Sequence, residues 1–137
     1  MAQSGKDAIA GDEDSMANSM TIIENVYYEY QKFDLLPQTI ITLNKVVDVM
    51  RSSTDITIDL ISHTDSRGSD EFNMKLSEKR AQTAVDYIIT KGIDKERLIA
   101  KGMGETQLIN KCKDGVDCPE EEHAQNRRSE FKVKKGK

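Results

Sequence analysis

Apolar residues recur at helical spacing along two stretches of this chain and alternate with polar ones along the runs between. Asn25 to Tyr30, reading Asn-Val-Tyr-Tyr-Glu-Tyr, is β-branched and aromatic and predicts a first strand. Pro37 suits the first position of a helix, where its missing N–H costs nothing. That helix runs to about Arg51, with Ile40, Leu43, Val46, Val47 and Met50 on one face. Asp55 to Ile61 predicts a second strand, its apolar parity carried by Ile56, Ile58 and Leu60. Glu71 to Lys91 predicts a second helix closed by Gly92, and Leu98 to Lys101 a third strand turned by Gly102 and Gly104. After an irregular segment, Pro119-Glu120-Glu121-Glu122 opens a short helix whose acidic side chains suit the positive end of its dipole. Arg128 to Lys134 alternates as a last strand, with Phe131 and Val133 on one parity. The order β-α-β-α-β-(short α)-β predicts an α/β two-layer sandwich, a mixed four-stranded sheet packed on helices. Strand order and oligomeric state stay open.

A length of 137 residues allows one domain with a single core. Residues 1–20 are small, polar and acidic and read as a disordered leader or a cloning junction, which leaves 21–137 for the domain. They lack the apolar core of a signal peptide, so an exported protein would be present here as a mature form or an excerpt. No apolar run approaches the roughly 18–20 residues that span a bilayer. With 20 basic and 24 acidic side chains the net charge is -4, which argues against non-specific nucleic-acid binding. The basic end, Lys132 to Lys137, reads as a solvated strand end and tail.

The candidate chemistry lies where the second strand meets the second helix. Asp65 is left at the strand's end and Arg80 some two turns into the helix. Residues seven apart on a helix lie about 20° from one another, so Asn73 and Arg80 share a side with Ser77 and Ala84. That side borders the apolar stripe of Ala81, Val85 and Ile88. An Arg there can pack its stem and offer its fork to a carboxylate in a bidentate grip that Lys cannot copy. Asp65 can hold an ammonium, so the two together suit a small zwitterion. The plainer reading is that Asp65 caps the turn and Arg80 forms an internal ion pair, with Asp65 itself as one partner.

A series of motifs in order resembles one known family. Thr64-Asp65-x-x-Gly68, Asn73-x-x-Leu76-Ser77-x-x-Arg80-Ala81, Gly92-Ile93-x-x-x-Arg97-Leu98, Gly102-x-Gly104-Glu105 and Asn126-Arg127-Arg128-x-Glu130-Phe131 are similar to the OmpA-like C-terminal domain family. That family includes the peptidoglycan-associated lipoprotein and the flagellar stator protein MotB. The match covers roughly Val26 to Val133. The resemblance implies non-covalent binding of peptidoglycan through the diaminopimelate of its stem peptide, without catalysis. It places the domain at the periplasmic face of the outer membrane of a Gram-negative bacterium, within an outer-membrane-associated parent. Asp65 matches the residue for the ligand's ammonium and Arg80 that for its carboxylate. Thr64, Asn73 and Leu76 match positions lining the same pocket, Arg127 a further contact, and Arg67 a contact of some members. The family often ends its first strand with an aromatic followed by Asp or Asn. Here that pair is Tyr30-Gln31, so charge is lost while hydrogen bonding is kept.

The free end of diaminopimelate carries one ammonium and one carboxylate, whereas a lysine side chain ends in an ammonium alone. Against lysine Arg80 would lose its partner, and an unpaired buried charge costs more than the intact pair is worth.

Cys112 and Cys118 read first as a disulfide closing a small loop, in keeping with an oxidising periplasm. A metal site from Cys112, Cys118 and His123 is the alternative, without a fourth ligand or a common zinc spacing. Asp114, Asp117 and the three glutamates match no EF-hand loop and read as a solvated acidic surface. His63 reads as structural, and no cofactor or metal is expected. Two other functions compete with wall binding. A hydrolase would use His63, Asp65 and Ser77, but Ser77 falls within a helix and in no nucleophile elbow. A structural or oligomerisation domain would leave Asp65 and Arg80 satisfying each other.

Overall fold

The computed structural model describes residues 23–135; the leader expected over 1–20 and the last two residues of the basic tail lie outside it. In chain order the elements are β1 (Val26–Tyr27), α1 (Pro37–Ser52), β2 (Ile56–Ser62) and α2 (Asp70–Thr90). A 3-10 turn (Lys95–Arg97), β3 (Leu98–Gly102), α3 (Glu120–Asn126) and β4 (Arg128–Lys135) follow. The strands form one mixed sheet in the order β1-β4-β2-β3. The last strand is therefore inserted between the first two, antiparallel to both, while β2 and β3 run parallel across the α2 crossover.

Helices α1 and α2 supply one layer and the sheet the other. Leu43, Val46, Val47 and Met50 of α1 meet Ala81, Ala84, Val85 and Ile88 of α2 over Ile58 and Leu60 of β2, all almost fully buried. Each large aliphatic side chain so buried contributes roughly 1.5–3 kcal/mol, and this cluster holds the two layers together. Helix α2 starts one residue before the expected Glu71, because the Ser69 hydroxyl accepts from the Phe72 amide at 3.1 Å and caps it. Gly92, with φ 97°, follows its last turn as expected. Gly102 has another role, since a Cβ there would overlap the Glu78 main chain and the Ser77 hydroxyl. Only a glycine lets α2 lie this close to the end of β3.

The first strand is shorter than Asn25 to Tyr30. Tyr27 pairs with Arg128, the first residue of β4, and one further bond joins the Tyr28 amide to the Arg127 carbonyl. Beyond that the facing chain turns into α3, so the strand has no partner left. Among the described residues no helix is long and apolar enough to cross a membrane.

Candidate functional site

The end of β2, the first turns of α2 and the turn after β1 converge on one small, shallow hollow. Asp65, Arg80 and Arg127 line it together with Thr64, Asn73 and Leu76. Tyr30, Gln31 and Arg67 complete the wall, so every residue expected to bind ligand borders the same space.

Arg80 is wholly buried, which a charged side chain tolerates only when its N–H groups find acceptors. Its Nε donates to the Lys32 carbonyl at 2.7 Å, Nη1 to that of His63 at 3.1 Å and Nη2 to that of Glu29 at 3.0 Å. Glu29 and Lys32 belong to a tight turn closed by a 3.0 Å bond from the Lys32 amide to the Glu29 carbonyl. Gln31 makes that turn with φ 57°, the left-handed conformation such turns use at their third residue. The guanidinium carbon also lies 4.8 Å from the centre of the Tyr28 ring. A guanidinium has five N–H groups, so two of Arg80's have no protein partner among the described residues. Burial pulls its pKa down to about 10, helped by the charge of Arg127 and offset in part by Tyr28 and Asp65. It stays charged at neutral pH.

Asp65, nearly buried, makes no ion pair with Arg80. Its Oδ1 accepts from the Arg67 amide at 3.0 Å, the turn-capping bond that the plainer reading anticipates. Its Oδ2 accepts from Arg67 Nη2 at 2.9 Å and Arg127 Nη1 at 3.2 Å. Burial pushes this carboxyl up, but the bonds and charge of Arg67, with Arg127 behind them, bring it below the usual aspartate range. Arg67 stacks on Tyr30, its guanidinium carbon 4.0 Å from the ring centre.

The expected balance of one anion and one cation is therefore incomplete. Three guanidinium groups line the hollow against one carboxylate. The sequence reading missed Glu120, whose two oxygens reach Arg127 Nη2 at 2.6 Å and Arg67 Nη2 at 3.1 Å. Glu120 opens α3 and Arg127 caps its far end, seven residues on, so the long arginine reaches back along the helix to meet it. Arg127 is anchored besides, with Nε donating to the Tyr28 carbonyl at 2.8 Å.

Asn73 is buried and bonds through Nδ2 to the Asp65 carbonyl at 3.3 Å and to Glu105 Oε1 at 2.9 Å. Burial raises the Glu105 carboxyl to about 7; Asp114 and Asp70 add to the rise, and the Asn73 bond opposes it. Thr64 turns its hydroxyl to the Asp65 carbonyl at 2.9 Å, while Leu76 is half-buried at the rim. His63 is buried with Nε2 3.2 Å from Glu130, so it belongs to the frame behind the hollow. Cys112 and Cys118 are disulfide-bonded, which removes both sulfurs from the alternative metal site with His123. The loop they close is fastened to the site, because the Ser66 hydroxyl donates to the Cys112 carbonyl.

Residues 27–122 match the OmpA family, a span that holds every residue lining the hollow except Arg127. The chain belongs to the OmpA family. A Gloeobacter violaceus protein named Photosystem I P700 chlorophyll a apoprotein A2 is 39% identical over 81% of this chain, with only 13% of its own length covered. Outer membrane protein A of Bordetella avium is 32% identical over 86% of the chain and 58% of that protein. The chain thus spans 13% and 58% of the length of these two relatives. The peptidoglycan-associated lipoprotein from Burkholderia pseudomallei has the same fold, with a TM-score of 0.73, 23% identity and coverage of 80% of this chain and 89% of that one.

Proposed function

We propose that this OmpA-family domain binds peptidoglycan without catalysis, gripping the free amino-acid end of diaminopimelate in the stem peptide. In a parent protein it would anchor an envelope component to the cell wall from the periplasmic face of the outer membrane. The observation that carries the reading is a buried carboxylate and a buried guanidinium bordering one hollow without being paired. The ligand's carboxylate meets the two N–H groups of Arg80 that the fold leaves over. Its ammonium meets Asp65, which accepts three bonds and has lone-pair capacity for one more. Thr64, Asn73 and Leu76 shape the space, and Tyr30, Gln31, Arg67 and Arg127 border its mouth. The Burkholderia lipoprotein with the same fold is, by its name, peptidoglycan-associated, which supports the reading. Hydrolysis has less support. The Ser77 hydroxyl donates to the Met74 carbonyl and accepts from the Gly104 amide, both at 2.8 Å, so it serves the fold.

A second reading also has an observation behind it. Arg67 and Arg127 already hold Asp65, and three main-chain carbonyls hold Arg80, so both charges serve the fold as they would in a structural domain. Sedimentation with purified diaminopimelate-type sacculi separates the two. The wild type pellets, while Asp65→Asn, folded by circular dichroism, stays in the supernatant. Sacculi with amidated diaminopimelate lose the carboxylate and bind more weakly. Wild-type-like pelleting of Asp65→Asn would remove the pocket assignment, and no pelleting at all would favour the structural domain.

A further inference from the structure

Glu120, two residues after Cys118, meets two of the arginines that line the hollow. Its carboxylate bridges the two arginines that also hold Asp65, with Oε2 on Arg127 and Oε1 on Arg67. Arg127 is 7% exposed and Arg67 34%, whereas Glu120 itself is 57% exposed. The cationic pair is thus built into the wall, and its anionic partner is the part free to leave. Two parallel donors aimed at one carboxylate form a ready-made anion grip, and such grips are strong when the donors are charged. With Glu120 counted, two carboxylates face three guanidinium groups, so the departure of Glu120 would leave Arg67 and Arg127 with only Asp65 between them and able to take another carboxylate.

We infer that Arg67 and Arg127 form a second carboxylate subsite, occupied by Glu120 in the free domain, from which a carboxylate of the stem peptide displaces it. This rests on the wall-binding reading and deepens it. Stem peptides carry carboxylates besides the one at the diaminopimelate free end, and a peptide that fills both subsites gains over one that fills one. Glu120 then acts as an internal competitor. It neutralises the arginines while the pocket is empty, and its occupancy lowers the observed affinity in proportion to the fraction of time that the subsite is free. Its pair with the arginines is partly solvent-exposed, so the competition is modest and can be displaced.

The expected readout is a gain of affinity on removing the competitor. Calorimetric titration of wild type, Glu120→Gln and Glu120→Ala with the tripeptide L-Ala-γ-D-Glu-meso-diaminopimelate should give about two- to tenfold tighter binding in both variants. Carbon-detected NMR of Glu120 adds a second readout. Its carboxyl, held below the usual glutamate range by Arg127 and Arg67, should return toward the ordinary value when tripeptide is bound. Unchanged or weaker binding by both variants, or a Glu120 carboxyl that keeps its low value in the complex, overturns the inference and leaves wall binding standing. Succinate as a plain dicarboxylate probes the subsite alone. If no protein binds tripeptide but Glu120→Ala binds succinate more tightly than wild type does, the subsite holds and the wall reading falls. If succinate also shows no preference for the variant, both fall.

Discussion

Arg80 and Asp65 border one hollow and yet do not touch as an ion pair; each is held by other groups. Arg80 is bound to three main-chain carbonyls from two separate segments, and Asp65 to two arginines that flank it. A direct pair would have neutralised both charges and closed the space. Their separation keeps a positive and a negative pole facing one cavity, at the cost of burying a guanidinium.

That cost makes Arg80 a structural residue as well as a candidate ligand. Arg80→Met keeps the stem but takes the donor from the buried His63 carbonyl and loosens the Glu29–Lys32 turn, whose Glu29 carbonyl still accepts from the Lys32 amide. An orphaned buried acceptor costs about 1–3 kcal/mol, so a denaturant melt should show a loss of roughly 2 kcal/mol. A loss below about 1 kcal/mol would mean that water replaces the fork. Any binding assay on this residue therefore needs a melt beside it.

Asp65 sets the acid limit of both stability and binding. Its folded carboxyl lies below the ordinary aspartate value, so its contribution is fully present above that value and is lost as pH falls through the lowered folded one. Binding to sacculi should hold down to about pH 4 and fade only below it. Asp65→Asn should flatten the acid limb of the stability curve. A midpoint of binding near pH 6 would point to another group.

Glu105 acts in the opposite sense. Its carboxyl rises from the ordinary 4.5 to about 7, so between those values the folded protein keeps a proton that the unfolded chain releases. Stability then falls as pH rises across that window. Glu105→Gln, which still accepts from Asn73, should raise the melting temperature by a few degrees at pH 8 and by less at pH 5. Equal shifts at the two pH values would exclude this account.

Gly102→Ala tests the close approach of α2 to β3. The added methyl meets helix main chain, which cannot step aside like a side-chain tip. Overpacking of this kind costs about 1–3 kcal/mol, sometimes more. The Gly104 amide bond to Ser77 should loosen with it, visible as faster amide exchange at Gly104.

The helices were legible because their burial follows a 3.6-residue period, and Pro37 and Gly92 mark two of their ends; the Ser69 cap went unread, which put the start of α2 one residue late. The β-α-β-α-β order was legible for the same reason. Strand order was not, since nothing local tells β4 to insert between β1 and β2. Nor was the length of β1, which depends on where its distant partner turns away. At the site, motif order pointed to Asp65, Arg80 and their neighbours. It could not reveal that Arg80 binds carbonyls of the Glu29–Lys32 turn, because main-chain acceptors leave no trace in side-chain identity. Glu120 went unrecognised among three consecutive glutamates, because nothing in that run marks which of them meets Arg127 two turns away.

The three bonds of Arg80 have a mechanical implication. They join the second helix to the turn after β1 and to the end of β2, regions lying 51, 48 and 17 residues away along the chain. Peeling any one of these segments from the body of the domain strips an acceptor from the guanidinium and dissolves the cavity wall. Under tension the pocket should therefore fail abruptly, with no half-open form that still grips.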